Sequence, residues 1–237
     1  MSYLKIKLFA DGADFDGMMA MYAMPQISGF TTNPTLMSKA GITDYAGFAR
    51  QVLRAIPDRP VSFEVFANDL PTMEKQAHVI AAWGPNANVK IPVTNTEGVS
   101  TAPLIATLSK AGIVLNITAI TTVEQVEEVA AALAPDTAAI ISVFAGRIAD
   151  TGIDPVPHMK SCLNALSHRP KAELLWASSR ELLNIFQAND AGCHIITASN
   201  DILDKLKLVG KDLLTYSRET VKMFHDDATS SGFEIAV

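Results

Sequence analysis

The chain has 237 residues, 49% of them hydrophobic, which is enough for one large domain or two small ones with a sizeable core and too apolar for disorder throughout. Its formal net charge of -6 gives no basic surface of the kind nucleic acid or an anionic membrane demands, so an anionic ligand has to be held locally by a few placed residues. Cys162 and Cys193 make no disulfide framework, no N-terminal stretch combines a basic start with an apolar run and a cleavage site, and no apolar run reaches the roughly 18 residues of a membrane span; the expected address is the cytoplasm.

In chain order, "KIKLFA" (Lys5 to Ala10) reads as a first strand and Phe15 to Met24 as a short helix. "GFTT" (Gly29 to Thr32) reads as a second strand, followed by a helical pattern from Asp44 to Ala55. "VSFEV" (Val61 to Val65) leads to a helix over Leu70 to Trp83, and "VKIPV" (Val89 to Val93) to one over Val99 to Ala111. "VLNITA" (Val114 to Ala119) precedes Val123 to Leu133, and "AIISVF" (Ala139 to Phe144) precedes Pro155 to Leu166. "ELLWA" (Glu173 to Ala177) and "HIITA" (His194 to Ala198) follow, with helices over Arg180 to Ala191 and Asp201 to Leu208. One further helical pattern, Ser217 to Ser230, lies beyond the last unit.

This alternation, with no linker or composition break, predicts a single α/β domain over residues 1–237, a (β/α)8 barrel with an extra C-terminal helix near 217–230. The rival is a doubly wound open sheet, which brings a Gly-rich phosphate turn after its first strand. "DGADFDG" is not that turn, and the barrel is preferred.

Alternate residues of a barrel strand point inward, and the C-terminal strand ends carry the site. Strand one ends at Asp11, strand two offers Thr31 and Asn33, and strand three offers Ser62 and Glu64. Strand four offers Lys90 with Pro92, strand five Asn116 with Thr118, strand six Ser142 with Phe144, and strand seven leads from Trp176 to Ser178. Any one Ser, Thr, Asn or Asp there is accounted for as a helix cap. The set with a buried lysine is not. Lys90 on an inward parity has to be paired, neutral or reaching a barrel end, because an unpaired buried ammonium is costly. A neutral lysine attacks carbonyls to form a Schiff base; a lysine that snorkels or pairs with Glu64 is merely structural. Both readings stand on the residues alone.

"FTTNPTL", "VKIPVT", "LNITAI" and "SVFAGRI", in that order, resemble the signature segments of the transaldolases, and the likeness runs over essentially the whole chain. The length is similar to the compact branch of the family, which includes fructose 6-phosphate aldolases. The resemblance implies a class I, Schiff-base-forming (β/α)8 enzyme with no metal or organic cofactor, and the charge and lack of a long apolar run argue against a nucleic-acid or membrane partner. It implies Lys90 as the Schiff-base lysine, Asp11 as the acid/base for the substrate hydroxyl, and Glu64 with Thr118 as the pair that holds a catalytic water. Asn33 and Asn116 match groups that bind a dihydroxyacetone moiety, with Thr31 and Ser142 as further contacts. Arg147, Ser178 and Arg180 match a phosphate corner, where the start of the helix after strand seven should also offer free N–H groups.

Glu64 and Phe144 match the transaldolase branch, since the aldolases carry glutamine and tyrosine there. The expected function is transfer of a dihydroxyacetone unit from a ketose phosphate to an aldose phosphate, with a link to pentose phosphate metabolism. The alternatives are a fructose 6-phosphate aldolase using the same lysine and a barrel that binds sugar phosphates without turnover. Small members of the family form pentamer-based rings, which implies a homo-oligomer. "VTNTEG" and "DGAD" depart from the family's usual segments. His78, His158, His168 and His225 show no metal-ligand spacing, His194 belongs to the opposite end of the barrel, and the nine methionines read as core filler.

Overall fold

The structure is a computed structural model and describes residues 4–236. The chain divides into two compact units, one ending at Leu203 and the other beginning at Asp204.

The elements of the first unit are β1 (Lys7–Asp11), α1 (Phe15–Tyr22), β2 (Ile27–Thr31), α2 (Pro34–Lys39), α3 (Tyr45–Ala55), β3 (Val61–Glu64) and α4 (Leu70–Ala81). There follow β4 (Ala87–Pro92), α5 (Ala102–Lys110), β5 (Leu115–Ile120), α6 (Val123–Ala132), β6 (Ala139–Val143), α7 (Ala145–Asp150) and α8 (Pro155–Ala165). The unit closes with β7 (Ala172–Trp176), α9 (Leu183–Ala191), β8 (Ile195–Ser199) and α10 (Asn200–Leu203). All eight strands pair in parallel and in sequence order, and β8 returns to β1, so the sheet is a closed barrel. That is the (β/α)8 architecture the alternation predicts.

Local chemistry explains the helix starts. Asp14, Asn33, Asp44, Asp69, Thr122 and Asp154 each sit at an N-cap and accept from a backbone N–H of the first turn. Thr122 and Gln125 complete a reciprocal capping box on α6. The apolar faces of these helices pack on the outward faces of the strands; Phe30, Phe63, Val89, Ile91, Ile117 and Ile141 are all fully buried. Because both faces of the sheet are covered, its strands read as near-continuous apolar runs, which is why they stood out in the sequence.

Two short helices have no counterpart in the sequence reading: α2 and α7, six residues each. Neither is long enough to show a helical period. The helix after β7 starts at Leu183 rather than Arg180.

Inside the barrel the wall is mixed. Phe9, Ile140, Leu175, Ala177 and Ile195 form an apolar plug, with Phe144 packed against it. Gly29 is needed here, since a Cβ would meet the Phe9 ring. Leu175 on β7 and Ala177 just past its end both join this inward cluster, so Trp176 between them takes the opposite parity and the expected inward run from Trp176 to Ser178 is corrected.

The second unit contains a short 3-10 helix (Asp204–Leu208) and α11 (Leu213–Ser230), capped by Asp212. The Ser217 to Ser230 pattern is therefore the later part of a longer helix. None of its residues is buried, and Leu213, Leu214, Val221, Met223 and Phe224 are all at least half exposed.

Candidate active site

A cavity of about 540 Å³ opens at the C-terminal ends of the strands. Its wall brings together Asp11, Thr31, Asn33, Glu64, Lys90, Thr118, Ser142, Phe144, Arg147, Ser178 and Arg180, so eleven of the twelve residues singled out from the sequence meet in one place. Asn116 is the exception. It is fully buried and holds other polar groups, donating from Nδ2 to Ser62 Oγ at 3.0 Å and accepting from Ser142 Oγ at 2.7 Å. Thr197 on β8 and Lys39 on α2 also line the cavity and were missed. Thr197 sits on the same parity as Ile195 in "HIITAS", so extending the parity argument to strand eight finds it.

Lys90 answers the question its position raises. Its residue is 7% exposed, and its Nζ lies 3.1 Å from Glu64 Oε2 and donates to the Thr32 carbonyl at 3.0 Å. The buried cation is thus paired, and its pairing carboxylate stands on the neighbouring strand in register, Glu64 opposite Lys90. Tyr45 fixes that strand end from the outside: its hydroxyl donates to the Glu64 carbonyl at 3.0 Å, and its ring packs among Phe63, Phe66 and Trp83.

Asp11 faces the same cavity from β1. Burial pushes its carboxyl above the usual range, partly offset by the nearby Lys90 cation and by the Thr31 hydroxyl, which donates to Oδ1 at 2.7 Å. A carboxyl so placed is easier to protonate than one in water. Thr118 contributes a buried hydroxyl with no hydrogen-bond partner among the described residues. The next residue, Ala119, has φ 61°, and the β5–β6 register shifts between Ile117 and Ile120. This bulge ends regular pairing just past Thr118.

The arginine corner is built by an interlock between α7 and the segment after β7. Gly146 N–H donates to the Ala177 carbonyl, and a Cβ at Gly146 would overlap the Ser178 carbonyl oxygen, so only glycine allows this approach. Ser178 pays with a left-handed φ of 64°. Arg147 lies over the Phe144 ring, 5.6 Å from its centroid, and Arg180 is ion-paired to Asp150. The expected free N–H groups at the next helix are not found at Arg180 and Glu181: both donate to Asn184 Oδ1, at 2.8 and 3.2 Å, because the turn is closed by that side chain before α9 begins. Positive charge in this corner comes from the two guanidinium groups.

His194 Nδ1 accepts from Leu174 N–H at 2.9 Å, a structural bond at the strand start. Cys162 and Cys193 are buried free thiols, each pushed up to about 12 by burial, and so are poor nucleophiles. Asn95 of "VTNTEG" closes its own loop by accepting from the Glu97 and Val99 N–H groups. Among the described residues no three His, Cys, Asp or Glu side chains gather as metal ligands, and no helix is long and apolar enough to cross a membrane.

Comparison with known proteins gives a consistent result. The family model for "Transaldolase/Fructose-6-phosphate aldolase" matches residues 8–235. A probable transaldolase of Dehalococcoides mccartyi is 35% identical over 199 residues, covering 84% of this chain and 88% of that one. Probable transaldolase 2 of Listeria monocytogenes is 34% identical over 202 residues, covering 85% and 88%. Among solved structures, dihydrodipicolinate synthase from Rhodopseudomonas palustris superposes with a TM-score of 0.57 at 14% identity, covering 94% of this chain and 79% of that one, a likeness of fold alone.

Proposed function

Since the chain belongs to the transaldolase/fructose-6-phosphate aldolase family, we propose that it is a transaldolase that moves a dihydroxyacetone unit between sugar phosphates through an imine at Lys90. The observation that carries this reading is a buried lysine amine within 3.1 Å of a carboxylate, in a cavity it shares with a second carboxyl, Asp11.

The chemistry follows from the groups present. Attack on a ketone needs a neutral amine, and Glu64 Oε2 is the acceptor at hand for the ammonium proton. The amine adds to C2 of a ketose phosphate to give a carbinolamine, and loss of water, with proton transfers through Glu64 and Thr118, leaves the imine. Asp11 then takes the proton of the C4 hydroxyl. The C3–C4 electron pair moves into the imine, an aldose phosphate departs, and a dihydroxyacetone enamine stays on Lys90. A second aldose phosphate accepts that unit by the reverse steps. Arg147 and Arg180 supply the forked donors that suit a phosphate. Asn33 and Ser142 bind the hydroxyls of the dihydroxyacetone unit, and Asn116 acts by holding Ser142.

Glu64 and Phe144 favour transfer over free aldol cleavage. A phenol at position 144 would sit beside the reacting water as a proton donor, and an apolar ring cannot quench the enamine that way. Ketose phosphates such as sedoheptulose 7-phosphate or fructose 6-phosphate are the donors in this reading, with erythrose 4-phosphate or glyceraldehyde 3-phosphate as acceptors.

The test is release of glyceraldehyde 3-phosphate from fructose 6-phosphate with and without erythrose 4-phosphate. Acceptor-dependent release supports transfer, and equal release in both cases makes the protein an aldolase. Borohydride reduction in the presence of dihydroxyacetone addresses the imine directly. A substrate-derived mass on Lys90 is expected, and Lys90→Met should abolish it; no adduct on the native protein would leave a binding barrel without turnover.

A further inference from the structure

Three oxygens from adjacent strands form a line beside the cavity. Thr31 Oγ1 on β2 lies 2.7 Å from Asp11 Oδ1 on β1 and 2.6 Å from Thr197 Oγ1 on β8. Both threonines are buried, at 3% and 6% exposure, and both line the cavity wall. Each hydroxyl owns one proton. Thr31 therefore cannot donate along both contacts, and whether Asp11 Oδ1 itself carries a proton decides the direction of the line; a proton on Oδ2 leaves it unchanged.

An ionised Asp11 is an acceptor only, so Thr31 gives it its proton and Thr197 must donate to Thr31. When Asp11 holds a proton on Oδ1, the order is free to reverse, from Asp11 to Thr31 to Thr197. The Thr197 hydroxyl then no longer donates to Thr31 and can turn its proton into the cavity.

We infer that Thr197 is a positioning residue for the acid/base step: through Thr31 it keeps Oδ1 of ionised Asp11 occupied, so that Oδ2 is the oxygen left to receive the substrate proton. This rests on the acid/base role proposed above for Asp11. The step balances. The substrate hydroxyl proton ends on Asp11, its O–H electron pair becomes part of the new carbonyl, and the electrons of the broken carbon–carbon bond stay with the enamine. The threonine protons rotate and none is consumed. Donation from Thr197 also polarises Thr31, which strengthens its bond to the carboxylate.

The charged groups acting on Asp11 are Lys90 on β4, which favours its ionised form, and Glu64 on β3, which opposes it. Arg147 and Arg180 stand further round the wall. Nearby carboxylates at the ends of the flanking elements are engaged locally, Asp14 by the Gly17 N–H and Asp201 by the Ser199 hydroxyl.

The experiment uses the full chain with Thr197→Val and Thr197→Ser. Two quantities are read: the pH profile of kcat for fructose 6-phosphate cleavage, and the yield of the borohydride adduct of dihydroxyacetone on Lys90. Thr197→Val should lower kcat about tenfold. It should also move the acidic limb to higher pH, because the ionised carboxylate loses support. Adduct yield should stay unchanged, which also shows that the variant is folded, and Thr197→Ser should restore rate and limb. An unchanged rate and limb overturns the inference. So does a loss shared equally by cleavage and trapping with a stationary limb, or a serine variant as impaired as the valine one. A native protein that forms no adduct defeats the Lys90 reading itself, and this inference with it.

Discussion

Asp11 trades stability for reactivity. Its pKa in the folded chain is raised above the ordinary 3.8, so between those two values the folded chain holds a proton that the unfolded chain has lost. Stability contributed by that group is therefore present below 3.8 and falls as pH rises through the raised value. Asp11→Asn removes the ionised form. It should melt higher than the native protein at about pH 8 and no higher at about pH 4, while losing cleavage of fructose 6-phosphate; a lower melting temperature at both pH values would count against a destabilised acid. Phe144 offers a second test at this scale. Tyrosine keeps the ring that Arg147 lies over, so Phe144→Tyr should leave phosphate affinity intact and raise acceptor-free release of glyceraldehyde 3-phosphate severalfold. Unchanged partitioning would remove Phe144 from the account of transfer.

Among the elements, the junction between α7 and β7 shows how a site is held by backbone rather than by side chains. Gly146 touches the carbonyl of Ser178, and Ser178 accepts a left-handed backbone to make room. Gly146→Ala forces a methyl into that contact and towards Arg180 Nε at 3.2 Å. The expected cost is about 1–3 kcal/mol of stability, together with a raised KM for fructose 6-phosphate and unchanged borohydride trapping of unphosphorylated dihydroxyacetone. Equal loss with both ligands would mean that the junction supports the whole barrel mouth rather than its arginine corner. This junction also marks the limit of what the sequence discloses. The strands were legible because a doubly covered sheet writes continuous apolar runs, and the inward polar residues were legible because alternation carries them to one side. Trp176 was assigned to the wrong side because the chain beyond it leaves the strand at Ser178, a turn that parity does not foresee. The N–H groups at Arg180 and Glu181 were read as free because nothing in "SSRELLN" says that Asn184 folds back to take them. Asn116 was placed on the wall because its parity is right; that Ser62 and Ser142 occupy its amide is a matter of three strands meeting, which one strand cannot state.

For the molecule as a whole, α11 raises the question of assembly. Its exposed Leu213, Leu214, Val221, Met223 and Phe224 are more apolar surface than a solvated helix needs. We propose that this helix is an assembly element of a homo-oligomer. A chain ending at Val209 should then elute at the monomer mass in light scattering, where the full chain elutes as a multimer, and should keep its Lys90 adduct; a full chain that is monomeric on its own would end that proposal. The barrel itself constrains how such an assembly can be made. Every strand from β1 to β8 already has two hydrogen-bonded neighbours, so the finished sheet has no edge on which another chain could add a strand. That protection depends on the β1–β8 seam. The seam joins Lys7 to Ile195, partners from the two ends of the barrel sequence, and until it zips two open edges are exposed along apolar strands. Aggregation of this protein is therefore a hazard of its synthesis and refolding, and a partner that shields the β1 and β8 edges during that interval would raise its yield without any effect on the folded enzyme.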